Sequence, residues 1–305
     1  MNDLFDKLLI RLLFAFLFCF FLFLYKIAHQ FYYQEKRFNF FNRIQMAQHP
    51  SQTLFFFSRL MGLSLAFYQI QIHVTAIPSE AILTTFLEMM TLFLLYCLSC
   101  LVIESITLYG LGHKEEILRK KNMAYSMYSF SHSISIGMIV AVIFKYSNYS
   151  FFNLIFLWPY SLVLYGPINK IFSLLIHPQF KKLIAEKNIP ISFSAMGHNL
   201  GTTFILIGAF YTIPENQNIE FYLLHVLMNL VLGALIYPIF VFLLGKILKI
   251  DEKEHSIYFT PQEENSEDNI SLGKGLFEGI YYLSCGLMSS IVTSKINFDA
   301  LYNFQ

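Results

Sequence analysis

Apolar runs recur along the chain, parted by short polar stretches. Eight stand out, at 8–25, 53–74, 81–109, 123–145, 150–169, 191–213, 220–245 and 275–294. About 20 apolar residues, rising 1.5 Å each as a helix, cover the ~30 Å of hydrocarbon in a bilayer. No two-residue alternation dominates, which argues against a membrane β-barrel. The pattern predicts an all-α, polytopic transmembrane bundle of eight helices. The first run is longer than the apolar core of a secretory leader, and no small-x-small cleavage site follows it. It is expected to be a retained span.

Charge fixes the expected orientation. Four loops each hold four basic residues. They are Lys26, Lys36, Arg37 and Arg43; Lys114, Arg119, Lys120 and Lys121; Lys170, Lys181, Lys182 and Lys187; and Lys246, Lys249, Lys253 and Lys274. The intervening loops hold almost none. Basic residues stay on the cytoplasmic side during insertion, so these four loops are expected inside and both termini outside. The last basic loop carries an acidic segment at 250–271, with seven acidic residues between Asp251 and Asp268. Its composition suits a solvated loop, or a contact for a cytoplasmic protein partner.

Small residues suggest an internal repeat. Ser58 and Gly62, Ser131 and Ser135, Gly197 and Gly201, and Gly275 and Gly279 lie four apart near the start of the second, fourth, sixth and eighth runs. Residues four apart share a helix face, and small ones there let two backbones approach closely. The expectation is a helix pair used four times, giving two four-helix halves, 1–147 and 148–305. Each half has an even number of spans, so the halves insert the same way up. The even spans are expected to pack inside and the odd spans outside. Lys121-Asn122 and Lys187-Asn188 repeat at two of the entrances.

The runs KEEILRKKNMAYSMYSFSHSISIG and EKNIPISFSAMGHNLG resemble an uncharacterised bacterial inner-membrane family that includes YjfL. That family has a basic loop, an Asn and two glycines four apart within a four-helix domain. The resemblance implies two such domains in tandem over nearly the whole chain, in a bacterial inner membrane. Ser131 and Ser135 stand where the family has glycines, and His49 where it has Asn. The family brings no established activity.

An ionisable group at mid-bilayer costs roughly 2.5–3.5 kcal/mol on insertion scales, so each asks for a reason. Arg59, His132 and His198 each follow the first small residue of an even span, and Asn199 follows His198. Glu104 and Glu278 fall at a similar depth, ~9–12 Å inside the basic end. These six form a candidate intramembrane polar site, with Arg59 expected to pair with Glu104 or Glu278. The rival reading is a structural network gluing helices together.

Composition excludes little beyond this. Of 305 residues, 56% are hydrophobic and 13% charged, where a soluble domain carries roughly 25% charge. The net charge of +1 makes no case for nucleic acid. Cys19, Cys97, Cys100 and Cys285 all lie in apolar runs, so no disulfide framework is expected. No phosphate-binding loop, dinucleotide fingerprint, zinc-protease motif or nucleophile elbow occurs. No catalytic residue, metal or cofactor is therefore expected. The first functional expectation is a transporter or channel-like assembly in contact with the lipid bilayer, alone or as a homo-oligomer. The second is a scaffold or accessory subunit, and the third an enzyme acting on lipid.

Overall fold

Every apolar run lies on a helix. The computed structural model describes residues 2–32, 50–70, 78–107, 111–112, 114–147, 150–176, 180–211, 219–248 and 268–294, and among them no strand occurs. The elements are α1 (Asn2–Tyr32), α2 (Pro50–Phe67), α3 (Pro78–Thr107), a π-helical turn (Lys114–Arg119), α4 (Met123–Tyr146), α5 (Phe151–Ile176), α6 (Phe180–Ala185), α7 (Ile189–Phe210), α8 (Ile219–Ile247) and α9 (Asp268–Thr293). Most of the acidic segment at 250–271, with His49 and His113, lies outside the described residues.

Among the described residues, six helices are long and apolar enough to cross a membrane: α1, α3, α4, α5, α8 and α9. They mark a multi-pass membrane protein. Helices α2 and α7 are not among them. Helix α7 sits between α4 and α9, and α2 lies along α4. A helix walled in by others needs no apolar outer face, so its sequence is free to hold Ser, His, Asn and Thr.

The four helices α2, α4, α7 and α9 form an inner row, in that order. Helix α3 leans on α4 and α1, α5 on α7 and α3, and α8 on α9 and α7. Exposed apolar residues cover the outer helices, such as Leu12 and Phe16 on α1, Leu83 on α3, Val163 on α5 and Leu235 on α8, and one side of α9, such as Ile280 and Ile291. A band of this kind is suited to lipid rather than water. Nearly all of α4 is buried.

The inner row is close because backbones touch. At Gly62 on α2, a Cβ would strike the Ser133 carbonyl of α4; at Gly137, one would strike the backbone of Gly62. The same happens between α7 and α9, where Gly197 meets Gly279 and Gly201 meets Gly286. Packing at such crossings holds helices together where no hydrophobic drive exists between them.

Two entrances share one construction. Asn122 and Asn188 cap α4 and α7, their side-chain oxygens accepting from the amides of Tyr125 and Ile191 at 3.1 Å. Each follows a lysine in the left-handed region, Lys121 at φ 52° and Lys187 at φ 67°. The turn lets a short helical piece, the π-helical turn or α6, fold over the end of the long helix. Asn122 Nδ2 also donates to the Ile184 carbonyl of the other entrance at 2.7 Å. Phe55, Ile117, Tyr128, Phe180, Ile184 and Ile191 make an apolar cluster beneath both.

Candidate functional site

The contact between α4 and α7 is polar. Five serines stud the first half of α4 at Ser126, Ser129, Ser131, Ser133 and Ser135, all buried. Ser126, Ser131 and Ser133 donate to carbonyls three or four residues earlier, which satisfies them without water. Ser133 faces α2, 3.1 Å from Ser58 Oγ. Ser131 and Ser135 face α7 instead. Asn199 Nδ2 donates to Ser131 Oγ and Thr203 Oγ1 to Ser135 Oγ, both at 2.7 Å.

Helix α5 closes this seam. The Tyr165 hydroxyl donates to Asn199 Oδ1 at 2.8 Å and lies 2.8 Å from His132 Nδ1. Thr202 Oγ1 donates to Asn169 Oδ1 at 2.8 Å. His132, Tyr165 and Asn199 are 2% exposed or less. The seam thus holds hydroxyls, amides and one imidazole, drawn from both halves of the chain.

The remaining candidates sit in separate nodes. Arg59 forms an ion pair with Glu104. Its guanidinium lies over the Phe55 ring at 5.1 Å, an arrangement that attracts a cation to the ring face. Glu278 is apart from both, accepting from Ser194 Oγ at 3.0 Å. His198 turns away from Asn199 toward α8 and α9, with Nδ1 3.0 Å from the Tyr237 hydroxyl and its ring edge-on to Tyr282. Adjacent residues on a helix point about 100° apart, so His198 and Asn199 serve different neighbours. Among the packing residues, Gly275 lies against Pro190, and Gly279 against Phe193 and Gly197.

Three tyrosines complete a pattern that small residues alone do not reveal. Tyr96 donates to the Arg59 carbonyl at 2.9 Å; Tyr165 and Tyr237 meet His132 and His198 at 2.8 and 3.0 Å. Helices α3, α5 and α8 each lend a buried tyrosine to the residue after the first small one of the preceding inner helix. The signal lay in the runs Leu95-Tyr96, Leu164-Tyr165-Gly166-Pro167 and Ile236-Tyr237-Pro238. Trp158 ties α5 to α3 by donating its indole N–H to Ser99 Oγ at 2.7 Å.

At the entrances, the exposed side is basic. Arg119 pairs with Glu115, Lys120 with the buried Glu116, and Lys182 more loosely with Glu186 at 3.9 Å. The hydrogen bond that Lys120 donates to Glu116 holds its pKa above the ordinary lysine value. Among the described residues no group of three His, Cys, Asp or Glu is placed to hold a metal ion. Cys97 and Cys100 lie in α3, neither in a disulfide. No family model, curated protein or solved structure matches the chain.

Proposed function

We propose that the chain is an eight-span inner-membrane protein in which two four-helix halves meet at the α4–α7 seam, and that this seam is the route of a transporter or channel-like assembly. The observation that carries the reading is the hydrogen-bonded set Ser131, Asn199, Tyr165 and His132, which joins the halves inside apolar surroundings. Transporters built from repeats place their sites at such interfaces. Hydroxyls and amides are costly in hydrocarbon unless bonded, and they mark pathways when they line the junction of two bodies.

Eight spans follow if α2 and α7 cross with the helices that enclose them. The lysine-rich ends of α4 and α7 then lie in the cytoplasm, and both termini outside. The likeness of the Lys-Asn entrances and glycine pairs to the YjfL-type family supports two tandem domains in a bacterial inner membrane.

The test is solute flux in vesicles carrying the purified protein, compared with Asn199→Leu and with empty vesicles. Flux that the wild type supports and Asn199→Leu loses favours the route. A second reading, a scaffold or accessory subunit, draws on the burial of Arg59 at 1% and Asn199 at 2% exposure, since well-enclosed polar groups also serve as interhelical adhesive. It predicts no flux, and retention of a cytoplasmic protein that is lost on deleting 250–267.

A further inference from the structure

We propose that the species passing the α4–α7 seam is a small anion, admitted from the α6 side past Phe180 and Tyr128. This rests on the transport reading above and adds the chemical class of the cargo.

The first support is a run of buried aromatic rings leading from α6 to the seam. Phe180 on α6 lies edge-on to Tyr128 with ring centres 5.5 Å apart, and Tyr128 lies edge-on to His132 at 4.6 Å. His132 then meets Tyr165, which meets Asn199. Two aromatic rings thus separate the basic surface from the hydroxyls and amides of the seam. Apolar constrictions of this kind gate a path by excluding water.

The second support is charge. Among the described residues, Arg119, Lys120, Lys121, Lys181, Lys182 and Lys187 are exposed around this entrance, against two exposed acids, Glu115 and Glu186. Those two acids and the buried Glu116 engage Arg119, Lys182 and Lys120. Lys121 and Lys187 have no ion pair among the described residues. A basic rim over a low-dielectric path concentrates anions and repels cations.

The third support is what the seam withholds. Glu104 is turned to Arg59 and Glu278 to Ser194, so neither carboxylate stands among Ser131, His132, Tyr165 and Asn199. A cation that sheds its water there meets no opposite charge. An anion meets no carboxylate there to repel it. Lipid headgroups fit the rim less well, because Lys121 and Lys187 begin α4 and α7, the enclosed helices, and lie over the bundle rather than its lipid boundary.

The experiment reconstitutes the full chain in phosphatidylcholine vesicles and measures flux of chloride, nitrate, acetate and phosphate as potassium salts, alongside potassium itself. At least one anion is expected to cross faster than potassium. Lys121→Gln with Lys187→Gln should lower that flux by about tenfold, while Lys121→Arg with Lys187→Arg keeps it. Phe180→Ala should raise it. Potassium passing while the anions do not overturns the anion assignment and leaves the transport reading standing. No flux above empty vesicles overturns both. Unchanged anion flux in a glutamine pair that elutes like the wild type overturns admission at this rim.

Discussion

Tyr165 donates its one hydroxyl proton to Asn199, and this fixes the direction of every hydrogen bond around it. Ser131 gives its proton to the Tyr128 carbonyl at 2.7 Å, so its oxygen accepts from Asn199 Nδ2. That turns Asn199 Oδ1 toward Tyr165, which must donate to it. His132 Nδ1 then carries the proton shared with Tyr165. In the neutral ring, Nε2 is the bare nitrogen, and it has no hydrogen-bond partner among the described residues.

The relay predicts an asymmetry between two conservative changes. Asn places its amide nitrogen near the position of Nδ1, and Gln places it near Nε2. His132→Asn should therefore keep the donation to Tyr165, while His132→Gln leaves the Tyr165 oxygen without its donor. The expected loss for Gln beyond that for Asn is about 1–3 kcal/mol. Thermal unfolding in detergent reads it, and equal losses in the two variants contradict the assigned direction.

Helix crossings predict a contrast among glycines. A side chain at Gly62 or Gly197 would collide with the facing backbone of α4 or α9, whereas nothing lies within 4 Å of a Cβ at Gly166. Gly197→Val and Gly62→Val should lower stability by about 1–3 kcal/mol or more, because backbone cannot move aside as a side chain can. Gly166→Ala should raise it by roughly 0.5–1 kcal/mol through helix propensity. The melting temperatures of the three variants check the ordering.

Arg59 and Glu104 are predicted to depend on each other. Glu104→Gln removes a carboxylate partner of the Arg59 charge, which is 1% exposed. A loss of about 3–5 kcal/mol is typical of breaking a buried pair. Arg59→Met combined with Glu104→Leu should recover most of it, since an apolar pair of similar volume is often neutral. A double-mutant cycle on thermal unfolding measures the coupling, and additive losses argue against the pairing.

Lys121 and Lys187 hold backbone conformations that glycine adopts more cheaply. Lys121→Gly and Lys187→Gly should each raise stability by about 1 kcal/mol. The same changes remove the two charges at the rim. A pair of glycine variants that melts higher yet carries less anion separates the role of the charge from that of the fold.

Much of this architecture was legible in the chain, and the limits have physical causes. Apolar runs mark helices because each must hide its backbone in lipid, and Asn122 and Asn188 announce helix starts by their capping chemistry. The spacing of Ser131 and Ser135 shows a shared face but not which neighbour it meets. That neighbour is α7, while Ser133 and Gly137, two positions away from each, take the crossing with α2. Tyr165 and Tyr237 were harder to see. A tyrosine in an apolar run resembles a membrane-interface residue until packing shows its hydroxyl buried. The six polar candidates share a depth in the sequence, but helix rotation sends Arg59 and Glu104, His132 and Asn199, His198, and Glu278 into four different contacts.

The most direct test of the seam as a route is a reversible lock placed across it. Ser135 and Thr203 face each other with their oxygens 2.7 Å apart, one on each half. In a background with Cys19, Cys97, Cys100 and Cys285 replaced by serine or alanine, Ser135→Cys with Thr203→Cys should form a disulfide under mild oxidant. Flux in reconstituted vesicles should stop on oxidation and return on reduction. A disulfide that forms while flux continues unchanged would contradict the account, because the halves would then be joined at a place where nothing passes.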